Sequence, residues 1–183
     1  MNGIVIVLIV AIVIVAIISW YIGTMNKLNR AKLTIDQAKA DIEVYMVKRY
    51  DVIMNSLELC KKFMQHEEEI FTKMVKVRQG TSVNELTEQA DIQNEAMQRL
   101  IAVGEAYPEL KSNELFATLQ QQLADENAHY AASKRVYNNN VTRYNQIVVT
   151  FPDSIIANSL GMHKEELFKD ETAETKEVTD IKF

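Results

Sequence analysis

Ile4–Ile22 reads IVIVLIVAIVIVAIISWYI, a run interrupted only by Ser19 and by the aromatic pair Trp20-Tyr21, and residues 1–26 carry no charged side chain. In water so much Val and Ile favours a strand. In lipid a lone segment satisfies its backbone N–H and C=O groups only as a helix. At 1.5 Å per residue the run spans roughly 28 Å, close to the hydrocarbon thickness of a bilayer. A secretory signal peptide opens with a basic region and closes on small residues. Here no Lys or Arg precedes the apolar run, and its far end carries two aromatics where an interfacial belt sits. The stretch is therefore expected to be a transmembrane anchor, residues 1–26, with the lipid bilayer as its first partner.

The flanks set the expected orientation. Met1–Gly3 has no basic side chain, whereas Lys27, Arg30, Lys32 and Lys39 follow the span. The positive-inside tendency then puts the N-terminus outside the cell (inner) membrane and the larger C-terminal part in the cytoplasm, a single-pass arrangement. Ser19 and Gly23 stand four apart, a small-xxx-small pair that lets two spans approach.

Composition bounds the remainder. About 155 residues follow the span, enough for one domain with a core. The net charge of −5 gives no reason to expect nucleic acid or a polybasic lipid contact. Cys60 is the single cysteine, so no intrachain disulfide is possible. Five glycines and two prolines are few for a chain built on tight turns and suit long helices.

The expected fold is all-α: one transmembrane helix continuing into an antiparallel bundle, residues 27–161, of three long helices and one short one. From Asn26 to about Val77 no Gly or Pro intervenes, and Ile42, Met46, Tyr50, Ile53, Leu57, Cys60, Met64, Phe71 and Met74 form one stripe. Gly80 stops this helix. Ser82 and Glu85 have the spacing of a capping box for a second helix that ends near Gly104. Tyr107-Pro108 forces an extended connection. A third helix is expected from Ser112 or Asn113 to Phe151, with the seam Leu119, Leu123, Glu126, Tyr130, Ser133, Tyr137, Val141, Tyr144, Val148 and Phe151 in coiled-coil steps of three and four. Asp153 or Ser154 would cap a short helix closed by Gly161. Residues 162–183, mostly charged from Lys164 onward, read as a solvated, disordered tail.

Four stretches resemble the LemA family. Arg49-Tyr50-Asp51-Val52-Ile53-Met54-Asn55 is similar to its RxDLIPN block, and His66-Glu67 to its helix-borne HE pair. Glu105-Ala106-Tyr107-Pro108-Glu109-Leu110-Lys111 looks like its second block. Arg135, Tyr137-Asn138, Tyr144-Asn145 and Phe151-Pro152, continuing through Ile155, Ile156, Ala157 and Gly161, resemble the third. The resemblance runs to about Phe168 and implies a single-span membrane protein with a helical bundle, but no established reaction. Met54 stands where the family pattern has proline, which implies a straighter first helix.

Chemistry-bearing residues are few. Glu126 and His129 have the Glu-x-x-His spacing of di-iron bundles, but Phe63 and Leu160 stand three before His66 and His163, so no second copy exists. Ile70 occupies the position where a zinc-protease motif after His66-Glu67 needs histidine. No cofactor or metal site is therefore expected. Glu126 lies on the apolar seam, and the favoured reading pairs its carboxylate with Arg49 or a tyrosine hydroxyl to fix helix register. Tyr137-Asn138 and Tyr144-Asn145 repeat at seven residues, which places the tyrosines on one face and the asparagines on the next. The tyrosines are expected to bury their rings; an asparagine ladder ordering a contact with another helix or subunit is the alternative. Arg49, Asn55, Glu126, Tyr137, Asn138, Tyr144 and Asn145 are thus structural or interaction candidates, together with Ser19 and Gly23.

These features point to a non-enzymatic membrane scaffold or adaptor. Val44, Val47, Leu59, Phe63 and Val75 lie off the main stripe of the first helix and suggest a homo-oligomer. The alternatives are a membrane-tethered metal-dependent enzyme using Glu126 and His129, or an accessory subunit of another membrane protein.

Overall fold

A computed structural model describes residues 2–61 and 82–168. Among them are five helices and no strand: α1 (Asn2–Cys60), α2 (Val83–Ala106), α3 (Pro108–Lys111), α4 (Glu114–Val149) and α5 (Asp153–Ser159). The chain forms two compact units, Met1–Ala38 with Tyr137–Leu167 and Lys39–Val136 with Phe168–Phe183.

In the first unit every residue from Ile4 to Ile22 is exposed, so none of the described residues buries the apolar run. Among the described residues α1 is the one helix long and apolar enough to cross a membrane. Cover for α1 begins at Thr24 and continues through Leu28, Ile35 and Ala38, facing the buried Tyr137, Val141, Tyr144, Ile147 and Val148 of α4. The helices run antiparallel: Asn140 Nδ2 donates to the Thr34 carbonyl at 3.1 Å, while Lys27 reaches Asp153 beyond the other end of α4.

Asp153 does not cap α5. Pro152 holds the cap position with no side-chain bond to the helix. The Asp153 carboxylate instead accepts from Lys27 Nζ at 2.8 Å and from the Thr24 hydroxyl at 3.2 Å. The Lys27 bond holds the carboxyl below its ordinary value of 3.8, against the opposing effect of partial burial. A carboxyl lowered in this way contributes stability that is complete above the ordinary value and lost as pH falls through the lower folded value. The far end of α5 closes as expected. Gly161 adopts φ +66°, and Met162 N–H donates to the Ala157 carbonyl at 2.9 Å, a left-handed glycine cap.

In the second unit Ile42, Met46, Arg49, Ile53, Leu57 and Cys60 of α1 are buried, and Arg49 rather than Tyr50 takes the inward position. Tyr50 is half-buried at the margin of the core cluster. Lys61 is in a turn; the expected continuation of the first helix to about Val77, with Met64, Phe71 and Met74, lies outside the described residues, as do His66-Glu67 and Gly80. The capping box of α2 forms in full: Glu85 N–H donates to Ser82 Oγ at 3.2 Å, and Ser82 N–H donates to Glu85 Oε2 at 2.9 Å. Pro108 then opens the one-turn helix α3, which the sequence pattern does not foresee; its preset φ suits a first helical position. Asn113 Oδ1 accepts from Leu115 N–H at 2.9 Å and starts α4.

The seam of α4 is buried at Leu119, Leu123, Tyr130, Ser133, Tyr137, Val141, Tyr144 and Val148. It ends there. Phe151 is 76% exposed, because the helix stops at Val149 and the 3.5-residue period no longer directs the side chain inward.

Gly104 is buried where α2 meets α4: a Cβ there would lie 2.8 Å from Phe116 Cε1 and 3.0 Å from its Cζ, and that ring is 1% exposed. Overpacking costs about 1–3 kcal/mol and outweighs the gain in helix propensity, which is at most about 1 kcal/mol. Gly104→Ala should therefore lower the urea midpoint of the full chain in detergent, and adding Phe116→Leu should recover most of the loss. A midpoint raised by Gly104→Ala alone would contradict the contact.

Candidate functional site

The second unit has a charge at its centre. Arg49 is 0% exposed and sits one turn before Ile53, in a stripe whose other buried residues, apart from Ser56, are apolar. A guanidinium cannot shed its charge at any ordinary pH, so the fold must solvate it from within. One terminal nitrogen donates to Asn94 Oδ1 at 2.7 Å and lies 3.3 Å from Met97 Sδ, both on α2. The guanidinium carbon stands 4.7 Å from the centroid of the Tyr130 ring on α4, a cation–π distance. Phe168 meets that ring edge-on at 6.4 Å and 83°. Alongside, Gln93, also buried, donates from Nε2 to the Met46 carbonyl at 3.1 Å. Three helices are thereby keyed to one side chain.

This differs from the expected pairing of Glu126 with Arg49 or a tyrosine hydroxyl. Glu126 Oε2 is buried with no hydrogen-bond partner among the described residues. His129, three residues on, is exposed, and its ring stacks on Tyr45 with centroids 5.3 Å apart and planes 12° apart. Among the described residues no three His, Cys, Asp or Glu side chains converge.

In the first unit the tyrosine–asparagine repeat has a definite task. Tyr137 and Tyr144 are both 2% exposed. Burial is the main cause that holds both phenols above their ordinary value of 10, so each keeps its proton at neutral pH. Tyr137 Oη donates to the Glu166 carbonyl at 3.1 Å. Asn145 donates from Nδ2 to the Glu165 carbonyl at 2.9 Å and accepts from Glu165 N–H at 2.8 Å, so one side-chain amide takes both backbone groups of one residue. Lys32 pairs with the Glu165 carboxylate from α1. Asn138 is half-buried on the neighbouring face.

Residues 162–168 are consequently not the free tail expected from their charge, although His163, Lys164, Glu166 and Leu167 are exposed. Glu165 and Glu166 are strapped to α4 through their backbones, and Phe168 is 3% exposed in the second unit. Residues 169–183 of that tail lie outside the described residues. The other candidates are on the surface. Ser19 and Gly23 are exposed, with nothing within 4 Å of a Cβ built on Gly23. Asn55 is exposed, and its side chain makes no hydrogen bond among the described residues. Val44 and Val47 are 52% and 54% exposed, whereas Leu59 packs partly buried against the core; Phe63 and Val75 lie outside the described residues.

The family model for the LemA family matches residues 38–183. Protein LemA of Metamycoplasma hominis is 24% identical over 157 residues, covering 81% of this chain and 70% of its own length.

The strap gives a direct test. Asn145→Ala removes two backbone-directed hydrogen bonds, each worth about 1 kcal/mol, and should raise the open population of the strap by roughly thirtyfold. Trypsin cleavage after Lys164 should accelerate to a similar degree while helicity is unchanged. Unaltered cleavage would show that Asn145 does not hold the segment.

Proposed function

This chain belongs to the LemA family, and from that premise we propose that it is a non-enzymatic, single-pass membrane scaffold or adaptor that self-associates through its helical bundle. The observation that carries the reading is the unclaimed apolar surface of α1. Ile4–Ile22 is exposed throughout and is not buried by any of the described residues, which supports a lipid-covered span. Val44 and Val47 are then left uncovered on the bundle side of the same helix, and lipid does not explain them. A second copy of the chain supplies the cover. The positive flank of Lys27, Arg30, Lys32 and Lys39 supports an N-terminus outside the cell (inner) membrane and a cytoplasmic bundle.

One observation favours a second reading. The unpartnered Oε2 of Glu126 is a buried acceptor that a metal or a donor from another protein would satisfy. Stoichiometric iron, manganese or zinc in the purified protein is the result that reading expects.

The self-association test is the mass of the full chain in mild detergent by size-exclusion chromatography with light scattering. The expected result is a discrete oligomer, shifted to smaller mass by Val44→Glu with Val47→Glu at unchanged helicity. A monomeric parent protein would overturn the self-associating scaffold.

A further inference from the structure

Immediately past the apolar run, α1 and α4 of the first unit enclose a groove of about 840 Å³. One end lies at Gly23, where the missing side chain leaves open space, and Ala31 and Ile147 contribute apolar wall. Three basic residues line it: Lys27, Arg30 and Arg143. Lys27 is engaged by Asp153, which also lines the groove. Arg30 and Arg143 are exposed and make no hydrogen bond or ion pair among the described residues. The groove therefore carries two uncompensated guanidinium groups, although the whole chain is acidic at −5. Net charge alone argues against a lipid contact; the local arrangement reverses that argument.

We propose that this groove binds the phosphodiester headgroup of an anionic phospholipid, with Arg30 and Arg143 as its ligands. The proposal rests on the membrane-spanning reading of residues 4–22. With the hydrocarbon boundary at Ile22, Lys27 stands about 7 Å and Arg30 about 12 Å further along the helix, against a headgroup layer about 5–8 Å thick. Side chains of an α-helix lean toward its N-terminus, so those of α1 lean back toward the bilayer and close the difference. Guanidinium groups match phosphate oxygens two at a time, which a lysine cannot do. The volume lies within the usual range for small-molecule sites, about 300–1,000 Å³, and admits a whole headgroup with its glycerol. Thr34 and Thr150 hydroxyls and the Gln146 amide supply neutral polar lining for that part.

Trp20 is the only tryptophan of the chain and lies one turn from Gly23, so it reports the lipid beside the groove. The full chain is reconstituted in phosphatidylcholine bilayers, and Trp20 quenching by acyl-brominated phosphatidylglycerol is compared with quenching by acyl-brominated phosphatidylcholine. Each basic residue near the surface is worth about fivefold in association. A preference of about tenfold or more for phosphatidylglycerol is expected, falling to near unity in Arg30→Gln with Arg143→Gln at unchanged helicity. Equal quenching of the parent protein by the two lipids, or a preference that survives the double substitution, would overturn the proposal. Inorganic phosphate added at constant ionic strength is expected to leave the preference intact; its loss would assign the groove to free phosphate instead. Quenching by neither lipid would overturn the membrane placement of Trp20 itself, and the groove proposal with it.

Discussion

A fully buried guanidinium is the constraint on which the second unit depends. An apolar stripe on α1 leaves the helix free to shift by a turn, since one Ile or Leu packs much like the next. Arg49 removes that freedom. Its charge persists, its desolvation costs several kcal/mol, and only a position that offers Asn94, Met97 and the face of Tyr130 together repays it. Gln93 adds a second fixed point by bonding the Met46 backbone. Such contacts contribute little net stability compared with a hydrocarbon isostere, but they penalise every wrong register heavily.

The first unit solves a different problem. Its apolar run is exposed throughout, while the segment after α5 is polar and short of hydrophobic surface. Up to Leu167 that segment is held by a side-chain amide and a phenol acting on backbone groups, through Asn145 and Tyr137, and by the Lys32–Glu165 pair. Surfaces fixed in these two ways leave particular residues uncovered, Val44 and Val47 among them. Those uncovered valines are what the proposed scaffold reading rests on.

Much of the fold was legible in the sequence, because it depends on local rules. Ser82 and Glu85 announced a helix start, Gly161 a helix end, and the three-four spacing from Leu119 to Val148 a buried seam. The misses share a cause. Tyr50 and Arg49 are adjacent on α1, and hydropathy prefers the tyrosine; only acceptors on α2 and a ring on α4 make the arginine the inward residue. The seam position of Glu126 suggests a bond to Arg49 or a tyrosine hydroxyl, but Asn94 takes the arginine's donor and Glu126 Oε2 has no partner among the described residues. The charges of 162–168 suggest a free tail, since backbone bonds to Asn145 leave no trace in composition. Phe151 continued a period that the helix itself did not.

A double-mutant cycle tests whether Arg49 and its α2 partner set the register of the second unit. Urea unfolding of the full chain in detergent is measured for Arg49→Ala, Asn94→Ala and the pair. A charge-assisted hydrogen bond of this kind predicts a coupling energy of about 1.5–3 kcal/mol between the two substitutions. Strictly additive losses would mean that the two side chains do not act on each other, and the register would have to be set elsewhere.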